Sequence, residues 1–62
     1  MNRTEEIHDF IDGRCLVEYH GNYYEYIGNI NGKMMLADTN DGYCICKSFD
    51  DLLEDKDFQF VR

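Results

Sequence analysis

Two cysteines one residue apart, Cys44-x-Cys46, are the first residues of this chain whose type and spacing suggest chemistry. On a β-strand, positions i and i+2 share a face, with Cα atoms about 6.5–7 Å apart, near or beyond the usual reach of a disulfide. A metal held there would need two further ligands, and Cys15, His8 and His20 are the only remaining Cys or His residues. Their spacing matches no zinc finger or ribbon. The expectation is therefore structural thiols facing the core, with Tyr43, Ile45 and Lys47 on the other face. The reverse arrangement, Ile45 inward and the thiols outward, stays open at the level of sequence.

Histidine is the residue type suited to a general base near neutral pH, which makes His8 and His20 candidates. Neither lies in a motif with a nucleophile, and Ser48 and Thr4 are better explained as helix N-caps. The five glycines, Gly13, Gly21, Gly28, Gly32 and Gly42, each fall at a turn or bend and form no phosphate-binding loop. Asp38-Thr39-Asn40-Asp41-Gly42 has residue types suited to calcium but lacks the twelve-residue frame closed by Glu. The expectation is a protein that is not an enzyme and that carries no metal and no cofactor.

Acidic residues are the strongest compositional signal. Thirteen Asp and Glu stand against six Lys and Arg, for a net charge of −7. That balance argues against direct contact with nucleic acid or an anionic membrane, both of which call for clustered cations. Nine of the 13 acids fall in two short segments: Glu5, Glu6, Asp9 and Asp12, then Asp50, Asp51, Glu54, Asp55 and Asp57. One reading is a solvated exterior that keeps a small protein dispersed. The sharper reading is a recognition surface for a protein with a basic surface, with Asp50, Asp51, Glu54, Asp55 and Asp57 at its centre. In gross composition the chain is similar to small acidic phage and mobile-element proteins that block nucleic-acid-processing enzymes.

Tyrosines supply the second binding candidate. Tyr19, Tyr23, Tyr24, Tyr26 and Tyr43 are too many to bury in so small a core, and Tyr suits interfaces by its large area and polar tip. Tyr23, Tyr24 and the acid that follows them, Glu25, are the expected contact residues. A face of this kind could instead hold a peptide or nucleotide, or join two copies in a homodimer.

The elements that must position these groups follow from periodicity. Ile7, Phe10 and Ile11 make an apolar stripe at helical spacing behind Glu5 and Glu6, with Thr4 as the expected N-cap and Asp12-Gly13 as the stop. From Arg14 the period becomes two: Cys15, Val17 and Tyr19 oppose Leu16, Glu18 and His20. Gly21-Asn22 reads as a type II′ hairpin loop. A returning strand, Tyr23 to Ile30, sets Tyr24, Tyr26 and Ile30 against Tyr23, Glu25 and Ile27, with Gly28 as a bulge or bend. Asn31-Gly32 is the strongest hairpin signal. Strands over Lys33–Asp38 and Tyr43–Lys47 follow, then a helical turn capped by Ser48 with Asp51 three residues on, and a closing strand over Phe58–Val61.

With 62 residues, one domain is expected, and its core must be small. The fold class expected is mainly β (α+β): a small five-stranded antiparallel SH3-like barrel or strongly bent sheet, with a short N-terminal helix and a helical turn before the last strand. The resemblance to SH3-like barrels lies in element order over roughly residues 14–61 and carries no family motif. The rival is an open antiparallel sheet with the Ile7/Phe10/Ile11 helix on one face. An odd cysteine count, no apolar run of membrane length and no apolar stretch behind the N-terminus predict reduced thiols in a cytoplasmic protein.

Overall fold

The computed structural model describes residues 2–62. Its elements run α1 (Arg3–Ile11), β1 (Leu16–Tyr19), β2 (Asn22–Ile30), β3 (Lys33–Asp38), β4 (Cys44–Lys47), α2 (Phe49–Glu54) and β5 (Gln59–Val61). The strands form one antiparallel sheet in the order β4-β3-β2-β1-β5. No ladder joins β4 to β5 among the described residues, so the sheet is not closed. The chain is a small α+β protein with a helical layer on one face of an open sheet.

Helix α1 begins earlier than Thr4 would have it. Asn2 is the N-cap: its Oδ1 accepts the Glu5 N–H at 2.9 Å, and its Nδ2 donates to the Glu5 carboxylate at 3.2 Å. Asn is at least as good a cap as Thr, and its use here lets Arg3 join the helix. At the other end, the N–H of Arg14 reaches Asp9 O and that of Gly13 reaches Phe10 O, with Gly13 at φ 81°. This is a Schellman stop, which needs the left-handed residue glycine supplies.

The first hairpin is also set differently. Tyr19 pairs with Asn22, so the loop is His20-Gly21, with φ of 51° and 86°. Two positive φ values make a type I′ turn, whose twist matches the flanking strands. Asn31-Gly32 forms the same kind of loop, as its composition predicts.

At Gly28 the β2–β3 register shifts, and the extra residue reverses the alternation beyond it. Ile30 therefore leaves the side shared by Tyr24 and Tyr26 and lies exposed.

Core residues come from both layers: Ile7 and Phe10 of α1, Cys15, Val17, Tyr24, Met34 and Leu36 from β1 to β3 and their approach, Leu52 of α2, and Phe58. Ile45 of β4 packs against them, while Cys44 and Cys46 are exposed. The core-facing assignment of the thiols is thus reversed. A half-buried edge strand turns its β-branched aliphatic residue inward and leaves the smaller, polarizable groups outside. Lys47 lies on the inner face opposite Met34, and its ammonium sits 5.3 Å from the Tyr19 ring on β1, across the concave side.

Helix α2 starts with a complete capping box. Ser48 Oγ accepts the Asp51 N–H, and the Asp51 carboxylate accepts the Ser48 N–H, both at 3.0 Å. These bonds hold the Asp51 carboxyl below its ordinary pKa. A depressed carboxyl pKa supports the fold above the unfolded value, and that support fades as pH falls through the folded one. Ser48→Ala is expected to cost about 1 kcal/mol. In urea unfolding followed across acid pH, the difference between wild type and Asp51→Ala, which removes the carboxylate that accepts the Ser48 N–H, should shrink as Asp51 protonates; a constant difference would contradict the reciprocal cap.

Candidate functional site

Helices α1 and α2 lie side by side, so the two acidic segments, some forty residues apart in sequence, share one layer. Arg3 fastens them. Its Nε donates to Leu52 O at 2.8 Å, and its Nη2 donates to Asp55 O at 2.7 Å and Phe58 O at 2.8 Å. The guanidinium carbon also stands 5.1 Å from the Phe60 ring centroid. Leu52 and Asp55 lie at the α2 C-terminus, where carbonyls lack intrahelical donors and a cation is favoured. Sequence reasoning overlooked Arg3. The available signal was a second helix with acids in its first turn and no cation in its last.

Several of these acids have internal duties. Asp9 is paired with Arg62 and, at 3.9 Å, with Arg14, and its side chain is only 17% exposed. The bond to Asp9 raises the Arg62 pKa. Asp51 belongs to the capping box, and Asp55 Oδ1 accepts the Asp57 N–H at 2.9 Å. Asp57 lies 3.1 Å from His20 Nε2. Glu6, Asp12, Asp50 and Glu54 have no ion-pair partner among the described residues. Of these, Asp12, Asp50 and Glu54 are exposed and Glu6 is half-buried.

The expected contact residues do not form one surface. Asp50, Asp51, Glu54, Asp55 and Asp57 belong to the helical layer and the turn that follows it. Tyr24 is a core side chain, 6% exposed, and so presents no surface to a partner. Tyr23 and Glu25 flank it on the strand and so face the opposite side of the sheet, opposite Glu18 and Ala37 respectively. A strand separates neighbours to opposite faces, and treating 23–25 as one patch ignored that.

The tyrosine face is correspondingly reduced. Tyr19 and Tyr26 pack against the core, leaving Tyr23 at 47% and Tyr43 at 68% exposure. Tyr19 is the middle ring of a stack, 4.0 Å from Phe58 and 3.9 Å from His20 between centroids. His8 stands against Phe49, with ring centroids 6.0 Å apart. In the polar turn after β3, Asp38 accepts the N–H of Asn40 at 2.7 Å, and Asp41 accepts that of Tyr43 at 2.8 Å, so these carboxylates shape the loop itself.

Buried Cys15 has its thiol pKa raised, mainly by burial, and its Sγ lies 3.9 Å from Glu6 O. Among the described residues, no helix is long and apolar enough to cross a membrane. The architecture defines a small α+β protein whose helical layer carries most of its acidic charge. Comparison with family models, curated proteins and solved structures finds no match.

Proposed function

We propose that this chain is a non-enzymatic, cytoplasmic binding module that docks its acidic helical layer on a protein with a basic surface. The specific form is an inhibitor that occupies a phosphate-binding groove and thereby blocks a nucleic-acid-processing enzyme. The observation that carries this reading is the juxtaposition of α1 and α2, which gathers the two acid-rich segments onto one rigid layer held by Arg3. Carboxylates fixed on a scaffold meet a cation array without the ordering cost a flexible acidic tail would carry. The strand order and the contact between Lys47 and Tyr19 favour the SH3-like form of a strongly curled sheet as that scaffold.

The reading is tested by measuring inhibition of a panel of purified DNA- and RNA-processing enzymes across a salt series. The expected result is inhibition competitive with nucleic acid, weakening about tenfold or more between about 50 mM and about 200 mM salt, because the contact is between exposed charges. Inhibition insensitive to salt, or non-competitive with nucleic acid, would overturn it.

A further inference from the structure

We propose that Cys44, Cys46 and Met35 form a binding site for a thiophilic monovalent cation, Cu(I). The site lies on the sheet face turned away from the helices. Cys44 and Cys46 are both exposed and occupy the same side of β4, a strand at the edge of the sheet. Met35 on β3 is the register partner of Cys46, so its thioether joins the same face. Cross-strand neighbours bring Cβ atoms to about 4.5–5.5 Å, within reach of a shared ion for flexible side chains. Two thiolates and a thioether are a soft donor set, the kind that selects Cu(I) over magnesium or calcium.

Other uses of these sulfurs fit less well. The extended strand holds the two cysteine Cα atoms about 6.5–7 Å apart, at the limit for a disulfide. Zinc takes four ligands at a structural site. The two histidines are engaged elsewhere, His20 with Asp57 and Tyr19, and His8 against Phe49. Among the described residues no three His, Cys, Asp or Glu side chains are grouped for a metal; the third donor invoked on this face is the thioether of Met35, the register partner of Cys46. Cys15 is buried under α1 and cannot join the pair.

The Cys44 thiol donates to Gly42 O at 3.5 Å. On binding, each cysteine loses its proton to solvent and coordinates through the thiolate. The copper stays Cu(I), no electron is transferred, and the complex carries one net negative charge. Because binding releases protons, affinity must rise with pH.

The test is anaerobic titration of the reduced, metal-free chain with Cu(I) against the chromophoric chelator bicinchoninate, with stoichiometry read by native mass spectrometry. One Cu(I) per chain is expected, with chelator competition lost in Cys44→Ser/Cys46→Ser. Met35→Leu should weaken binding about tenfold or more, the scale on which partners at metal sites act. Far-UV circular dichroism should be unchanged in the double serine variant, because both side chains are exposed. Unaltered competition in that variant, no effect of Met35→Leu, or one ion shared by two chains would each overturn the site. So would formation of a Cys44–Cys46 disulfide in glutathione buffer by a chain that takes up no Cu(I).

Discussion

Phe58→Ala is expected to leave the protein largely unfolded at room temperature. Phe58 is fully buried, stacks on Tyr19 at 4.0 Å and belongs to the cluster formed by Phe10, Val17, Leu36 and Leu52. Its backbone carbonyl is also one of the three that Arg3 holds. Removing a buried phenyl ring costs about 3–5 kcal/mol, the transfer term plus the cavity left behind. A domain of 62 residues has a total stability of about 3–9 kcal/mol at the usual per-residue value. One side chain therefore accounts for much of the whole. Urea unfolding followed by near- and far-ultraviolet circular dichroism should show a midpoint lowered by about 1.5–5 M or no folded baseline at all, given a slope of about 1–2 kcal/mol per molar for a small protein. A loss under about 1 kcal/mol would mean that the cavity collapses at little cost and that this core is less tightly interlocked than its aromatic contacts imply.

Arg3→Met is the second large effect. Methionine keeps the apolar stem but removes every donor, so Leu52 O, Asp55 O and Phe58 O all lose their partner at once. The site is part-buried, so water replaces the guanidinium incompletely. About 2–4 kcal/mol is expected, since a bond from a charged donor contributes about 1.5–3 kcal/mol and three sharing one side chain do not add fully. Arg3→Lys should recover only part of this, because a single ammonium lacks the planar fork that reaches three carbonyls. Hydrogen exchange should localise the loss, with protection falling first in α2 and β5. Equal stabilities for Arg3→Met and wild type in urea would show that α2 holds its place by its apolar contacts, Leu52 and Phe49, without Arg3.

These two predictions also mark what could be read from the sequence and what could not. Asn31-Gly32, the Gly13 stop, the Ser48 cap and the Ile7/Phe10/Ile11 stripe are local signals, each decided by a few neighbouring residues, and each forms as its chemistry dictates. Where two local options compete, tertiary pairing decides. His20-Gly21 won over Gly21-Asn22 because Tyr19 must pair with Asn22 to keep Val17 opposite Tyr24 in the core. The outward turn of Cys44 and Cys46 followed from register with β3, where Leu36 sets Ile45 inward. Arg3 makes its bonds across some fifty residues, and no window along the chain contains both partners.

The candidate site was half legible for the same reason. Counting acids picks out the two segments, but only the packing of α1 on α2 shows them to be neighbours. Asp9 illustrates the opposite failure: it counts as negative surface in the sequence yet is held by Arg62 and Arg14 in the fold. Tyr24 and Tyr23 differ by one position and lie on opposite sides of the sheet, so an adjacent pair in sequence became a core residue and a surface residue.

The direct measurement of the central claim compares two variants with the same change in net charge, one on each side of the sheet. Asp50→Asn/Glu54→Gln removes two negative charges from the helical layer, and Glu18→Gln/Glu25→Gln removes two from the opposite face. Binding to an enzyme inhibited by wild type, measured by titration calorimetry at low salt, should weaken about tenfold or more for the first and little for the second. Equal weakening by both, or weakening by the sheet-face variant alone, would contradict recognition through the helical acids.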